Sequence, residues 1–282
     1  MTLEAWLAKA EAHLRGGPHP DRARRDAETL LLHVIRSERA ALLVHWKEVL
    51  DEAEAARYIE LIDRRRAGEP IQYILGETEF YGLPFHVTRD VLIPRPETEH
   101  LVEEVIELAA QLSAPRIVDV GTGSGCIAVA LAARLPHALL TATDLAAPAL
   151  AIARQNAERN GVAGRIRFLR GNLLAPVAGE EFEIVVSNPP YVPTADRASL
   201  AVEVRDYEPP LALFAGPGGH DAYRALIPQA FAALVPGGYL ALEIGHGQSE
   251  PVRALLDSAG FTEIEITPDL QGIPRVYVCR RA

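Results

Sequence analysis

The sequence predicts an α/β protein in which a doubly wound, mostly parallel sheet is preceded by a small all-α helical bundle. Three observations support this prediction. From Arg116 onward, continuous apolar runs rich in β-branched residues alternate with helical segments, which is typical of βαβ units. Before Gly76, apolar residues recur mainly at helical spacing. The chain has 282 residues, of which 49% are hydrophobic, and it can therefore bury the cores of two domains.

Three amphipathic helices are predicted within residues 1–75. The first ends before Gly16, the second begins at about Arg22, and the third runs from about Asp51 to Arg66. Helices this short can bury their apolar faces only against one another, so we expect a helical bundle. The apolar faces comprise Leu3, Trp6, Leu7, Ala10, Leu14, Ala27, Leu30, Leu31, Val34, Ile35, Ala55, Tyr58, Ile59 and Ile62.

A hairpin linker is expected to follow the bundle, over residues 76–95. Its two short β-prone runs are Glu77–Phe80 and Phe85–Thr88, with turn residues between them. Residues 96–282 then form the second predicted domain. We expect Pro96 to occupy the first turn of its first helix, because a proline there loses no intrahelical hydrogen bond.

The second domain is predicted to contain five parallel strands and a closing pair of strands at one edge. The polar, proline-bearing segment Glu203–Pro210 falls between two of the parallel strands, and we interpret it as a solvated connection rather than a cover over a site. The predicted strands are Arg116–Val120, Leu139–Asp144, Ile166–Arg170, Phe182–Ser187, Tyr239–Ile244, Glu263–Pro268 and Arg275–Arg280.

The composition argues against several classes of protein. A formal net charge of −10 disfavours direct binding to nucleic acid, which requires clustered Lys and Arg. The two cysteines, Cys126 and Cys279, are too few for a disulfide framework, and the nine histidines show no metal-ligand spacing, so we expect no metal site and a reducing cytoplasm. We expect neither secretion nor membrane insertion, because there is no apolar signal region and no run of about 18 apolar residues.

A glycine-rich loop, Gly121-Thr122-Gly123-Ser124-Gly125, joins the first parallel strand to a helix over Cys126–Leu135. Glycines permit positive φ and let a ligand approach the backbone. The dinucleotide fingerprint would place its third glycine where Cys126 stands, and the Lys-Ser/Thr pair of a P-loop is missing, so a ligand that bears a carboxylate is favoured over phosphate. Asp144, nineteen residues after Gly125 at the end of the second strand, is placed to accept hydrogen bonds from two ribose hydroxyls.

The second functional pattern is Asn188-Pro189-Pro190-Tyr191, which follows a buried strand. The prolines end the strand because they have no N–H to donate to a sheet. The Asn188 side-chain oxygen and the Pro189 carbonyl then form a rigid pair of acceptors suited to a planar NH2 group, and Tyr191 adds a flat aromatic face. The alternative interpretation is a strand followed by an ordinary turn.

These two patterns together resemble a class I methyltransferase that binds S-adenosylmethionine, with the Rossmann-like doubly wound sheet of that class. Asn188–Tyr191 is similar to the motif of enzymes that methylate planar amino nitrogens. Three further stretches, Glu69–Gly76, Phe80–Leu83 and Ile93–Glu99, resemble the HemK or PrmC family of peptide chain release factor glutamine methyltransferases. The resemblance covers nearly the whole chain.

The resemblance implies that a methyl group passes from S-adenosylmethionine to the side-chain amide nitrogen of the glutamine in the Gly-Gly-Gln motif of release factors, leaving S-adenosylhomocysteine. It implies that Gly121–Gly125 and Asp144 bind the cofactor, with Asn188 beside it, and that Asn188–Tyr191 hold the glutamine. In the family an acid and an aromatic residue commonly contact the adenine after the third strand. This chain has Asn172 and Leu173 there; an amide can still bond an adenine edge, whereas a leucine can only pack.

The chemistry of the expected reaction assigns catalytic roles to Asn188, Pro189 and Tyr191. An amide nitrogen is a poor nucleophile, so positioning should supply much of the acceleration. Hydrogen bonds from the substrate NH2 to the Asn188 and Pro189 oxygens strengthen as positive charge develops on nitrogen. Tyr191 could support that charge through its ring or could serve only as a packed residue. No general base is assigned, because the methylated, protonated amide is very acidic.

Three alternative functions were compared with this one. An amino-group methyltransferase for DNA would need a basic groove, which the negative charge disfavours. A methyltransferase for a ribosomal-protein glutamine would use the same site. A sensor that binds S-adenosylmethionine without catalysis would not need an intact Asn188–Tyr191 motif. The expected partners are release factors, with no direct nucleic acid and no membrane, and a monomer is expected.

Overall fold

The structure is a computed structural model that describes the backbone of Met1–Ala282 and the side chains of all residues except 41–43. It divides into two compact units. One unit comprises Met1–Gly76 together with Leu200–Tyr207, and the other comprises Glu77–Ser199 together with Glu208–Ala282. The predicted fold class is confirmed, because one unit is helical and the other contains a mostly parallel sheet flanked by helices.

The regular elements alternate in the order expected from the sequence, helices first and then strands separated by helices. The helices are α1 (Leu3–Leu14), α2 (Ala23–Ile35), α3 (Arg39–Val44), α4 (Glu52–Arg66), α5 (Ile71–Leu75), α6 (Thr98–Ala109), α7 (Cys126–Arg134), α8 (Ala147–Arg159), α9 (Val202–Arg205), α10 (Pro210–Leu213), α11 (Asp221–Ala233) and α12 (Ser249–Ala259). The strands are β1 (Glu77–Phe80), β2 (Leu83–His86), β3 (Arg116–Val120), β4 (Leu139–Asp144), β5 (Ile166–Arg170), β6 (Phe182–Ser187), β7 (Leu234–Glu243), β8 (Phe261–Pro268) and β9 (Pro274–Arg281).

The helical unit forms around the apolar faces that the sequence periodicity identifies. At the start of α4, the Asp51 side chain accepts from the Glu54 backbone N–H at 2.8 Å and the Glu54 side chain accepts from the Asp51 N–H at 3.0 Å, which is a capping box. Tyr58 is buried in the core and its hydroxyl donates to the Ala27 carbonyl at 2.9 Å. Apolar burial between α1, α2 and α4 therefore holds this unit together.

A buried ion pair also lies in the helical unit. Arg65 is 2% exposed and its Nε donates to Oδ2 of Asp26 at 2.6 Å. Its Nη1 donates to Oε2 of Glu203 at 3.1 Å and to the Glu69 carbonyl at 2.9 Å. Glu203 belongs to Leu200–Tyr207, the segment whose position in sequence puts it in the second predicted domain. The ion pair thus holds this distant segment in the helical unit.

The interpretation of Glu203–Pro210 as a solvated connection is wrong. Glu203 pairs with the buried Arg65, and Glu208, which lies in the other unit, is 3% exposed and accepts from Nη2 of Arg95 at 2.6 Å. Charged side chains of a connection are expected in water because desolvation is costly. Here Glu203 and Glu208 are each compensated by an arginine that lies far away in the sequence, and sequence spacing cannot reveal such a partner.

The sheet of the second unit has the strand order β5-β4-β3-β6-β7-β9-β8. Strands β3 to β7 pair with one another in parallel, whereas β9 pairs antiparallel with both β7 and β8. The direction in which successive strands are added reverses between β3 and β6, which makes the carboxyl ends of these two strands the switch point where doubly wound sheets bind ligands. The strands predicted at β3, β4, β5 and β6 are confirmed.

Two sequence predictions at the entry to the second unit are wrong. The second hairpin strand is Leu83–His86 rather than Phe85–Thr88, because Tyr81 and Gly82 both have positive φ (53° and 72°) and make a two-residue turn. Pro96 does not occupy the first helical turn, because α6 begins at Thr98 with Glu97 at its N-cap. Thr98, the first residue of α6, is buried, and its hydroxyl contacts the Asn188 side chain.

Strand β7 begins earlier than predicted, at Leu234 rather than Tyr239. Gly237 has a φ of 80°, and the pairing of β7 with β6 shifts register between Phe182 and Ile184. The additional residues at the start of β7 are therefore an irregular part of the strand. Glycines and a proline conceal this stretch in the sequence. Among the described residues, no helix is both long and apolar enough to cross a membrane.

Candidate active site

The residues of both sequence patterns lie at the carboxyl ends of adjacent parallel strands. The glycine loop follows β3, Asp144 ends β4, Asn188 follows β6, and Glu243 ends β7. Ser187 donates its hydroxyl proton to the Val120 carbonyl at 2.7 Å, which joins the ends of β6 and β3 by a side chain as well as by the backbone ladder. The sheet therefore brings the glycine loop and the Asn188 motif to the same edge.

The glycine loop has the backbone conformation that its composition predicts. Gly121, Gly123 and Gly125 have φ values of 76°, 54° and 81°, a region that side chains disfavour. A Cβ at Gly125 would also lie 3.0 Å from Cβ of Ala153 on α8, so this glycine permits close helix packing. A Cβ at Gly121 would meet no atom within 4 Å, so that face of the loop is open.

Asp144 has a structural role that the sequence did not reveal. Its Oδ2 accepts from the Gly123 N–H at 2.9 Å, and its Oδ1 accepts from the Ala146 N–H at 2.8 Å. The carboxylate therefore links the glycine loop to the start of α8. Each carboxylate oxygen can accept more than one hydrogen bond, so the predicted ribose contact is compatible with both bonds. That contact stays a prediction.

Asp119, in the interior of β3, is a buried acid that sequence analysis overlooked. It is 0% exposed, and the Thr122 hydroxyl of the glycine loop donates to its Oδ2 at 2.6 Å. Burial raises the pKa of Asp119 to about 7, an effect that the Thr122 hydrogen bond opposes and the negative charge of Asp144 reinforces. The available sequence signal was an acid within an otherwise apolar strand.

Asn172 and Leu173 lie just after β5. The Asn172 side chain is exposed. Leu173 is half-buried, packs against the apolar cluster beneath the sheet, and has a φ of 50°, which is unusual for a residue other than glycine. Their contact with a cofactor stays a prediction.

Asn188 is half-buried and its Nδ2 donates to Oγ1 of Thr98 at 3.0 Å. Pro189 is buried and Pro190 is half-buried. The chain then continues as an ordered segment, since the Val192 N–H donates to the Leu213 carbonyl at 2.8 Å. The motif is thus held at both ends, which fixes the backbone from which its acceptors project.

Tyr191 is fixed by a hydrogen-bond network that sequence analysis overlooked. Its carbonyl accepts from Nε2 of Gln248 at 2.9 Å, and Oε1 of Gln248 accepts from the Gly245 N–H at 3.1 Å and from the Tyr223 hydroxyl at 3.2 Å. A Cβ at Gly219 would lie 2.4 Å from the Tyr191 carbonyl oxygen. Burial raises the pKa of Tyr191 to about 12, so its hydroxyl stays neutral near pH 7.

Glu243 is a second buried acid at this edge of the sheet. It is 1% exposed, and Leu242 before it pairs with Ser187, so the carboxyl lies beside the Asn188 motif. Burial raises the pKa of Glu243 to about 7, while hydrogen bonding from Thr98, the charge of Arg275 and hydrogen bonding from Asn188 act in the opposite direction. Sequence analysis did not identify Glu243, because one acid at a strand end has no distinguishing spacing.

Comparison with known protein families gives a match in each part of the chain. Residues 5–76 match the PrmC N-terminal domain, and residues 98–204 match the methyltransferase small domain. The second match contains the glycine loop, Asp144 and the Asn188 motif. The matched domains therefore include both sequence patterns that meet at the sheet edge.

Two relatives that match along nearly their full lengths are release factor glutamine methyltransferases. A release factor glutamine methyltransferase of Koribacter versatilis is 43% identical over 282 residues, covering 100% of this chain and 99% of the relative. One of Moorella thermoacetica is 44% identical over 282 residues with the same coverage. The similarity to these relatives therefore covers both the helical unit and the unit that contains the sheet.

A solved structure shares the fold at much lower identity. It is the 16S rRNA N2 methyltransferase RsmC of T. thermophilus in complex with AdoMet and guanosine, with a TM-score of 0.53 and 18% identity. The similarity covers 73% of this chain and 50% of that chain. At that identity the comparison supports the fold alone.

The buried Asp119 predicts a pH dependence of stability. Its pKa in the folded chain, about 7, exceeds the value of about 3.9 expected when unfolded, so the fold favours the protonated form. The stability this provides is fully present below about pH 4 and is lost as the pH rises through about 7. We expect urea unfolding at pH 5 and pH 8 to show that the free energy of unfolding of Asp119→Asn, relative to that of wild type, is higher at pH 8 than at pH 5.

Asp257→Asn, at an exposed acid of α12, is the matched control and should show no such gain. The assignment of Asp119 as a buried titrating group is wrong if the free energies of unfolding of wild type and Asp119→Asn change equally between pH 5 and pH 8.

Proposed function

The chain belongs to the release factor glutamine methyltransferase family, and we propose on that basis that it transfers a methyl group from S-adenosylmethionine to the side-chain amide nitrogen, N5, of the release factor glutamine. The substrate glutamine is the one in the Gly-Gly-Gln motif. One observation carries the proposal: Asn188, whose amide is held by Thr98, lies at the same sheet edge as the glycine loop. An oriented amide beside a nucleotide loop suits methyl transfer to a planar NH2 group.

The residues present fit S-adenosylmethionine. The open face of the loop at Gly121 leaves room for a ligand, and Asp144 supplies acceptors suited to ribose hydroxyls. Asn172 offers amide donors and acceptors for an adenine edge, and Leu173 offers an apolar contact. When bound, the cofactor supplies an electrophilic methyl group on a sulfonium, and S-adenosylhomocysteine is the product.

The side chains of the motif orient the substrate and stabilise charge. The amide nitrogen of glutamine is a weak nucleophile because its lone pair is delocalised, so residues that hold this nitrogen in one orientation would lower the barrier. The Asn188 and Pro189 oxygens accept from the substrate NH2 and bind it more strongly as positive charge develops. The neutral Tyr191 ring offers a π-face to the same charge.

The helical unit is proposed to recognise the release factor. A groove of about 450 Å³ between α1 and α4 is lined by Trp6, Lys9 and Ile59, among others. Lys9 lies 5.4 Å from the centre of the Trp6 ring, and Ile59 is 44% exposed. An exposed aliphatic residue beside an aromatic one is a common composition of protein-binding surfaces.

The protein is proposed to be a cytoplasmic monomer. Both Cys126 and Cys279 are free thiols in the structure, which agrees with a reducing cytoplasm. The protein is proposed to act as a monomer without direct contact to nucleic acid, in keeping with its net charge of −10. Light scattering that gives a mass other than 30.6 kDa would contradict the monomer.

Asp144→Ala tests the cofactor assignment. The substitution removes the proposed ribose acceptors and also the bond to Gly123, so the dissociation constant for S-adenosylmethionine should rise about 10- to 150-fold. Isothermal titration calorimetry measures it. Glu263→Ala, at an exposed acid of β8, should bind the cofactor as wild type does. Unchanged affinity in Asp144→Ala would refute the assignment.

Asn188→Ala tests the substrate assignment. Losing one acceptor leaves a substrate N–H unpaired in a dry site, which should lower single-turnover methylation of a release factor roughly 5- to 150-fold. Asn188→Asp keeps an acceptor oxygen and should retain more activity than Asn188→Ala. If the motif is only a strand and a turn, both variants act through folding alone. The catalytic interpretation is wrong if a folded Asn188→Ala protein binds the cofactor and methylates the release factor at the wild-type rate.

Ile59→Asp tests the role of the helical unit. A charge in the groove between α1 and α4 should raise KM for the intact release factor by roughly tenfold, the range of a hot-spot residue. Affinity for S-adenosylmethionine should not change. Leu270→Asp is the matched control, because Leu270 is 95% exposed and lies outside the groove. Equal KM values in the two variants would argue against recognition through this groove.

A further inference from the structure

The buried carboxyl of Glu243 has no role in the function described so far. It ends β7 next to the strand that carries Asn188, and it is 1% exposed. Its Oε2 is buried without a hydrogen-bond partner among the residues whose side chains the structure describes. An acid removed from water with its acceptor capacity only partly used is costly, so its position requires a reason.

Two polar side chains act on this carboxyl. The Thr98 hydroxyl and the Asn188 amide both favour the ionised form of Glu243. Thr98 in turn accepts from Nδ2 of Asn188 at 3.0 Å. The three side chains therefore form one polar cluster, in which Asn188 and Thr98 are hydrogen-bonded and the Glu243 carboxyl lies on the neighbouring strand.

This cluster favours one orientation of the Asn188 amide, with its NH2 facing inward. A threonine hydroxyl can donate or accept, so Thr98 alone would tolerate either orientation of the amide. An ionised carboxylate can only accept. The amide group beside it must then be the NH2, and the amide oxygen is left for a ligand.

We propose that Glu243 is a positioning residue that, together with Thr98, holds the Asn188 NH2 inward and so presents its Oδ1 to the NH2 group of the substrate glutamine. This inference rests on the proposed function. In this proposal Glu243 acts on the substrate through Asn188 rather than through a contact of its own.

The arrangement has a dependence on pH. A protonated Glu243 carries an O–H that can donate to an amide oxygen, so the reversed orientation of Asn188 becomes available. Burial raises the pKa of Glu243 to about 7, so both orientations become available within the working range of an enzyme. The titratable groups that interact with Glu243 are Glu97 before α6, Arg275 on β9, Tyr191 after β6, Tyr223 on α11 and Cys126 on α7.

Glu243→Gln is the direct test. Glutamine has nearly the same shape but offers a donor as well as an acceptor, so it should behave like the protonated acid at every pH. We expect kcat at pH 8.5 to fall roughly 5- to 20-fold, about what one weakened hydrogen bond costs. We expect the wild-type kcat to rise through about pH 7, and this rise should disappear in Glu243→Gln. Affinity for S-adenosylmethionine should stay within twofold of wild type.

A spectroscopic readout keeps the test independent of activity. The side-chain 15N–1H signals of Asn188 should titrate with a midpoint near pH 7 in wild type and should not titrate in Glu243→Gln. The Asn160 amide, whose Nδ2 donates to the Pro84 carbonyl at 3.0 Å, is the internal control and should titrate in neither protein. Thr98→Val should change the Asn188 signals and lower kcat in the same direction as Glu243→Gln.

The outcomes separate this inference from the proposed function. Wild-type kcat and pH profile in Glu243→Gln, or Asn188 signals that do not titrate in wild type, would overturn the positioning role. Loss of cofactor affinity in a folded Glu243→Gln protein would also overturn it, because the residue would then act elsewhere. Failure of wild type to methylate a release factor would overturn the proposed function while the Asn188 titration still tested the orientation.

Discussion

The parallel pairing of β3 with β6 is the constraint on which the site depends. The pairing puts the carboxyl ends of two strands side by side although they are separated in sequence by β4 and β5. The Ser187 hydroxyl fastens those ends through the Val120 carbonyl. A slip in the register of β6 would move Asn188 away from the glycine loop and turn its side chains to the other face. The geometry needed for methyl transfer therefore begins as a property of the backbone ladder.

Around that pairing, the protein keeps two carboxyl groups in a dry environment. Asp119 lies beneath the glycine loop and bonds Thr122, and Glu243 lies beneath the Asn188 motif and faces Thr98. Burial raises the pKa of both acids to about 7, which shows how much their charged forms cost. In each case the acid supports a loop that our proposals assign to a ligand. Burying these two carboxyl groups lowers the free energy of unfolding when they are charged, and such costs are common at functional sites.

The helical unit shows the same use of buried charge for a different end. Arg65, almost fully buried, joins Asp26 in α2 to Glu203, a residue more than a hundred positions later in the chain. Isolated buried ions are unfavourable, but a guanidinium that meets two carboxylates and a carbonyl satisfies most of its donors. Such a pair favours one docking of a segment over others, because a displaced segment would leave the arginine unpaired. The apolar contacts of the unit lack that selectivity.

The sequence by itself determined the fold class, most strands of the parallel sheet, the glycine loop, and the motif from Asn188 to Tyr191. These features depend on local physics: β-branched runs favour strands, glycines permit positive φ, and prolines end a ladder. Only the tertiary structure decided that Thr98 contacts Asn188, that Gln248 holds the Tyr191 carbonyl, and that Glu243 and Asp119 are buried beneath the site. It also decided where Leu200–Tyr207 packs. Those facts concern partners far apart in the chain, and a side chain's hydrogen-bond partner or its pKa is set by what folding brings near it rather than by its neighbours in sequence.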